Sequence, residues 1–130
     1  MPQIKGKFEV KRAGEPNYDM GGGFELGRSR FDKRFEGELE AVSVVYMVSV
    51  GTAVKGSAAY VAIERIEGSV GGRRGAFVVT HTATMARGTP SLAISVVPDS
   101  GTGELEGIRG TMTIDIIEGQ HFYTFDYAFA

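Results

Sequence analysis

The chain has 130 residues, a length typical of one domain that is large enough to bury a core. Its net charge of -2 provides no global field for nucleic acid or anionic lipid, and the lack of cysteine excludes disulfides, thiolate metal sites and a cysteine nucleophile. Glycine accounts for 19 residues and proline for only 4. With many β-branched and aromatic residues, this composition indicates many turns between many strands.

No targeting or membrane segment is expected. Residues 1–5 lack the apolar run of a signal peptide. No run approaches the roughly 18 apolar residues of a membrane-spanning helix. The expected location is therefore the cytoplasm, although a chain without cysteine also suits other compartments.

Two strands are predicted before residue 36. Residues 4–12 alternate between apolar and charged side chains, which is the pattern of a half-buried strand. A glycine-rich loop over 13–23 separates this strand from a second one over 24–35. On the second strand, Phe31 and Phe35 face away from a row of charged side chains, which consists of Arg28, Arg30, Asp32 and Arg34.

The third predicted strand, 39–50, is the most apolar segment of the chain. A tight turn at Glu36-Gly37 is predicted to pair Phe31 with Val42, which defines an inward face of Val42, Val44, Tyr46, Val48 and Val50. The opposite face also carries apolar residues, Val45 and Met47. A strand that is apolar on both faces is usually covered on both sides. Its outer face is therefore either lightly exposed or a contact between subunits of a homo-oligomer.

Residues 58–84 predict a central β-hairpin. Its two apolar strands flank Gly71-Gly72, a dipeptide that tolerates the positive φ angles of a two-residue turn. This turn pairs Glu64 with Val79 and places Glu64 on the same face as His81. An acid and an imidazole thus share an otherwise apolar face.

The last third of the chain predicts three more strands, over 91–97, 108–117 and 120–129. A polar turn over 98–103 precedes the second of them, and a turn at Glu118-Gly119 joins the last two. In that register, an aliphatic face opposes an aromatic face formed by Tyr123, Phe125, Tyr127 and Phe129.

The predicted fold class is all-β. No stretch has a convincing 3.6-residue period, and no second domain or linker interrupts residues 1–130. About eight antiparallel strands joined by short turns form a meander, and eight is a number at which such a sheet closes into a barrel. The barrel is either packed solid or able to hold one small ligand.

Several runs of the sequence carry a resemblance to a known family. They are Lys7-Phe8-Glu9-Val10; Glu64-Arg65-Ile66-Glu67-Gly68 with Gly71-Gly72-Arg73, Phe77-Val78 and His81; Val97-Pro98-Asp99-Ser100-Gly101-Thr102-Gly103-Glu104-Leu105 with Gly107; and Asp126-Tyr127. With these runs the chain resembles an uncharacterised family of small bacterial proteins, a domain of unknown function. The resemblance implies a closed eight-stranded meander barrel similar to that of allene oxide cyclase, and it implies no function.

Glu64 and His81 are the leading candidates for a functional site. A carboxylate on an apolar face has a raised pKa, and a nearby imidazole lowers it, so such a pair can exchange a proton near neutral pH. Tyr46, Tyr60 and Tyr127 are predicted to add hydroxyl groups, which makes five candidate ligand-binding residues. The same pair is also compatible with a satisfied buried contact or a position at the barrel mouth.

Three functions remain open from the sequence. The leading hypothesis is a binding module that holds a small, largely apolar ligand, with Glu64 and His81 as polar contacts. An isomerase or cyclase-like enzyme that uses Glu64 as acid or base is the alternative, based on analogy between barrels. A structural or interaction protein with a filled barrel, acting through the outer face of strand 39–50, is the third.

No metal, cofactor or nucleic acid is expected. Only two histidines, His81 and His121, are available as metal ligands. The glycine runs 21–23 and 101–107 lack the features of a P-loop or a dinucleotide fingerprint. Phe31 faces away from the arginine row, so no aromatic platform for bases forms beside the positive charges.

Overall fold

Residues 2–130 form an all-β structure in the computed structural model, which leaves Met1 outside the described residues. Ten strands follow one another in this part of the chain. They are β1 (Gln3–Gly14), β2 (Tyr18–Gly21), β3 (Phe24–Phe35), β4 (Leu39–Gly51), β5 (Ala58–Val70), β6 (Arg73–Ala86), β7 (Thr89–Val96), β8 (Thr102–Gly103), β9 (Ile108–Ile117) and β10 (Gln120–Phe129). The same residues include no helix of the length and apolar character needed to cross a membrane.

Eight of the strands form a closed antiparallel barrel, which confirms the predicted fold class. The neighbours follow the order β1-β10-β9-β7-β6-β5-β4-β3, and β3 pairs again with β1. The first half of β1 pairs with β10 up to Phe8, and the second half pairs with β3 from Phe8 onwards. Because every strand of the ring has two neighbours, the barrel has no unpaired edge strand.

Two hairpins have the register that their turns predict. At Gly71-Gly72, Val70 pairs with Arg73, and Glu64 pairs with Val79. Both glycines have positive φ, at 55° and 85°. The turn at Glu118-Gly119 joins β9 to β10 in its predicted register as well. A two-residue turn fixes the pairing of both strands, so these faces could be assigned from local sequence.

The predicted register between β3 and β4 is wrong by three residues. Phe31 pairs with Val45 and not with Val42. Because side chains alternate between the two faces of a strand, an odd shift exchanges those faces. Tyr46 was predicted to point inward, but it lies outside the barrel with 62% of its surface exposed.

Burial of Leu39 explains the observed register. The predicted register would have placed Glu40 inside together with Val42. The Tyr123 hydroxyl donates to the Glu36 carbonyl at 2.8 Å and accepts from the Leu39 N–H at 3.2 Å, so it holds the backbone of the loop in place. The inward face of β4 therefore consists of Leu39, Ala41, Ser43, Val45 and Met47.

Two short strands lie in segments that were predicted to be loops. β2 folds back on β3 through Gly22-Gly23 and pairs Tyr18 with Leu26. β8 pairs with β6 through Gly75 and Gly103. Both strands lie outside the ring of eight. β2 has four residues and β8 has two, and segments this short show too little alternation to be predicted as strands from sequence.

The barrel interior is filled by side chains at one end. Phe77 and Phe125 stack with ring centroids 5.6 Å apart and planes 4° from parallel. Leu105, from the segment between β7 and β9, joins the same buried cluster and covers this end. The cluster also includes Phe35, Leu39, Ile66, Val70, Ile108 and Tyr123. The interior at the opposite end is not filled in this way.

An apolar strip lies on the outside of β4 and β5. Tyr46 pairs with Ile63, and Val48 pairs with Val61. All four side chains are exposed. Monomeric proteins rarely expose large contiguous apolar patches. The subunit contact predicted for strand 39–50 therefore stays a prediction, now placed on the Tyr46 side of that strand.

If this strip joins two copies of the chain, the wild-type protein will sediment as an oligomer. We expect Val61→Lys to shift it towards the monomer, because a buried unpaired charge opposes association. Val54→Lys, at an exposed position in the loop between β4 and β5, is the matched control and should leave the oligomer intact. A wild-type protein that is monomeric at its highest soluble concentration in sedimentation velocity contradicts the prediction.

Candidate functional site: a cavity above a buried ion pair

A cavity of about 280 Å³, open to solvent, lies at the end of the barrel opposite the packed core. Its walls are mainly apolar and consist of Phe8, Val10, Phe31, Val45, Met47, Leu92, Ile114 and Ile116. Its polar lining consists of Lys33, Tyr60, His81 and His121. The volume is near the lower limit of roughly 300 Å³ for small-molecule sites.

A larger groove of about 520 Å³ lies on the outer wall of the barrel. Charged side chains such as Glu9, Arg34 and Glu67 dominate its lining. These are solvated residues of β1, β3 and β5. The interior cavity is the better candidate site because its walls are apolar and its polar groups are few and convergent.

Beneath the cavity, Glu64 is bound by three other side chains. Its Oε1 accepts from Nε2 of His81 at 2.7 Å and from Nζ of Lys33 at 3.3 Å. Its Oε2 accepts from Oγ of Ser43 at 2.6 Å. The side chain of Glu64 is 0% exposed, whereas those of His81 and Lys33 are 4% and 8% exposed. Each carboxylate oxygen thus has a donor, as a buried charge requires.

Four adjacent strands, β3 to β6, bring this cluster together. Lys33 pairs directly with Ser43 across β3 and β4. Glu64 on β5 is diagonal to Ser43 on one side and to His81 on the other. Diagonal neighbours on one sheet face are within reach of long side chains. The cluster therefore depends on three strand registers at once.

The surroundings of Glu64 favour its ionised form. Burial raises the pKa of Glu64, but the hydrogen bond from His81, the charge of Lys33 and the hydrogen bond from Ser43 together bring it below the ordinary value of 4.5. Burial and the nearby charge of Glu64 raise the pKa of Tyr60. At neutral pH, Glu64 is thus an acceptor for its neighbours, and the Tyr60 hydroxyl keeps its proton.

The lowered pKa of Glu64 predicts a loss of stability in acid. An unfolded Glu64 binds a proton more readily than a folded one, so its contribution is fully present above pH 4.5 and is lost as the pH falls through the folded pKa. We expect the free energy of unfolding in urea to fall more steeply below that pH in wild type than in Glu64→Gln. Glu67→Gln, on the solvent face of the same strand, is the control, and equal slopes for wild type and Glu64→Gln contradict the prediction.

The structure brings together only some of the five predicted site residues. Glu64 and His81 are hydrogen-bonded, and Tyr60 lines the cavity with its ring centroid 6.4 Å from that of His81. Tyr127 faces inward but lies at the filled end, beside Phe125. Tyr46 lies outside. Glu64 does not line the cavity. Ligand binding by these residues stays a prediction.

Lys33 and Ser43 are the members of the cluster that sequence analysis missed. Lys33 alternates with Phe31 and Phe35, so strand parity alone placed it on the inward face. Its Nζ lies 4.8 Å from the ring centroid of Phe8, an arrangement that stabilises a cation. The inward position of Ser43 could not be predicted in the same way, because it depends on the register between β3 and β4.

His121 lies at the rim of the cavity. Its ring centroid is 5.1 Å from that of Phe8, and it lines the same cavity as His81. The described residues that line this cavity include no carboxylate, because Glu64 stays beneath it. Across residues 2–130, no group of three or more histidine, cysteine, aspartate or glutamate side chains could hold a metal ion.

The fold and the site define a class of protein: a closed, eight-stranded antiparallel barrel with a cavity at one end and a core at the other. A family model described as "Protein of unknown function (DUF3224)" matches residues 4–127, and the chain belongs to this family. The predicted resemblance to a family of unknown function is therefore confirmed.

A solved structure supports the same assignment. The chain is similar to the crystal structure of a DUF3224 protein of unknown function from Shewanella oneidensis MR-1, with 51% sequence identity and a TM-score of 0.94. The similarity covers 100% of this chain and 98% of that chain. None of the curated proteins matches the chain.

Proposed function

We propose that the barrel binds a small, largely apolar molecule in its interior cavity. His81, Lys33 and Tyr60 are its polar contacts, and Glu64 positions the first two. The observation that carries this proposal is the apolar cavity directly above a buried polar cluster centred on Glu64. We also place the protein in the cytoplasm, which rests on the sequence alone.

The cavity walls supply the affinity in this proposal. A ligand that fills the cavity buries its apolar surface against these walls. Each Å² of apolar surface removed from water contributes roughly 25 cal/mol of free energy, so the walls supply most of the binding energy. The polar groups then fix its orientation. Nε2 of His81 donates to Glu64, which leaves Nδ1 as a hydrogen-bond acceptor for a ligand.

The geometry gives less support to an enzyme that uses Glu64 as acid or base. A general base must lie within hydrogen-bond reach of the proton that it abstracts. Glu64 has no exposed surface and already accepts three hydrogen bonds. A barrel filled throughout by side chains has less support as well, because the cavity occupies one end.

The binding proposal can be tested by filling the cavity. Met47 lines it, whereas Val48, the next residue on β4, points to solvent. We expect phenylpropanol, a neutral probe with an apolar body, to bind wild type in isothermal titration calorimetry. Met47→Trp should weaken that binding about tenfold or more, and Val48→Trp should leave it within about twofold of wild type.

Two results contradict the proposal. One is the absence of measurable binding by phenylpropanol and by its acidic and basic analogues. The other is an equal effect of Met47→Trp and Val48→Trp, which would mean that the probe does not occupy the interior. Circular dichroism of both variants shows whether the barrel remains folded.

A further inference from the structure

We infer that the ligand of this cavity is a small apolar monocarboxylate, with its carboxylate held by Nζ of Lys33. This inference rests on the proposed binding function and adds the chemical class of the ligand. Lys33 lines the cavity, whereas the Glu64 carboxylate that is paired with it does not.

The polar side chains that line the cavity are Lys33, Tyr60, His81 and His121. Lys33, Tyr60 and His121 can donate a hydrogen bond to a ligand, whereas His81 gives its Nε2–H to Glu64. The lining residues include no aspartate or glutamate. Glu64 compensates the charge of Lys33, but it does so from below, with no surface of its own exposed. Lys33 is thus the charged member of the ion pair that lines the cavity.

Desolvation of Lys33 favours an acceptor over a purely apolar ligand. An ammonium group has three N–H donors, and the hydrogen bond to Glu64 at 3.3 Å uses one of them. When an apolar body enters the cavity, the other donors lose access to water. An unsatisfied buried donor costs about 1–3 kcal/mol, and more when it is charged. A ligand oxygen that replaces the lost water avoids this cost.

A carboxylate suits Lys33 better than other headgroups. It is an anion whose two oxygens only accept hydrogen bonds, and charge-assisted hydrogen bonds are roughly twice as strong as neutral ones. An amine would place a second positive charge beside Lys33. The remainder of the lining, which includes Phe8, Phe31 and Tyr60, suits an apolar or aromatic body.

The inference predicts a ranking among three probes with the same body. Phenylpropanoate, phenylpropanol and phenylpropylamine differ only in the headgroup. We expect wild type to bind the carboxylate about tenfold or more tightly than the amine, with the alcohol between them, in isothermal titration calorimetry. Weaker binding of the carboxylate at high ionic strength should accompany this ranking.

Removing the charge of Lys33 tests its role. Lys33→Met leaves Glu64 buried without its cation, which destabilises the fold and obscures the effect on binding. Lys33→Met/Glu64→Gln removes both charges and keeps side chains of similar length. We expect the double variant to lose most of the preference for phenylpropanoate over phenylpropylamine.

The possible failures are distinguishable. If none of the three probes binds, the proposed function and this inference both fail. If phenylpropanol or phenylpropylamine binds as tightly as phenylpropanoate, the inference fails and the binding function stands. If the double variant keeps the full preference for the carboxylate, Lys33 is not the anion contact and the inference is overturned.

Discussion

Replacing Glu64 with alanine is expected to lower the free energy of unfolding by about 3–5 kcal/mol, because it leaves one partner of a buried ion pair without the other. Lys33, with 8% of its side chain exposed, would keep a charge without its counter-ion. His81 and Ser43 would each lose a hydrogen-bond acceptor. Urea denaturation monitored by circular dichroism measures the loss.

Two comparisons identify the cause of that loss. Glu67→Ala removes an exposed carboxylate from the same strand and should change stability by less than about 0.5 kcal/mol. Lys33→Met/Glu64→Gln should be less destabilised than Glu64→Ala, since it buries no unpaired charge. A loss below about 1 kcal/mol in Glu64→Ala would show that Lys33 reaches solvent without its partner.

Truncating Phe125 at the filled end of the barrel should have a comparable effect. Phe125 is fully buried and stacks on Phe77. We expect Phe125→Ala to lower the free energy of unfolding by about 3–5 kcal/mol, because the removed ring leaves a cavity that rigid barrel walls cannot close. Thermal and urea unfolding both report this change.

A matched phenylalanine tests whether burial is responsible. Phe24 is 48% exposed at the start of β3. Phe24→Ala should change stability by less than about 0.5 kcal/mol. Equal losses for Phe24→Ala and Phe125→Ala would contradict the assignment of the packed core to the end that contains Phe125.

Lys33 shows that part of the site was within reach of sequence reasoning. Strand parity puts it between Phe31 and Phe35 on the inward face, but no role was predicted for it. Its burial becomes interpretable only with Glu64, which lies 31 positions further along the chain. The partner of a buried charge is a tertiary contact.

Tyr46 shows the opposite case. Its predicted inward position followed from a two-residue turn after Phe35, but the loop is longer and is held by the Tyr123 hydroxyl, which lies 84 positions from Leu39. Local sequence does not contain that constraint. One error in turn length was enough to exchange the two faces of β4.

The sequence by itself determined the all-β class, the hairpins at Gly71-Gly72 and Glu118-Gly119, and the shared face of Glu64 and His81. These features depend on alternation and on turns of two residues, which are local. Only the tertiary structure decided which neighbours of β1 close the ring, which face of β4 is inside, and which end of the barrel is hollow. Those outcomes depend on contacts between distant segments, whose packing no local pattern encodes.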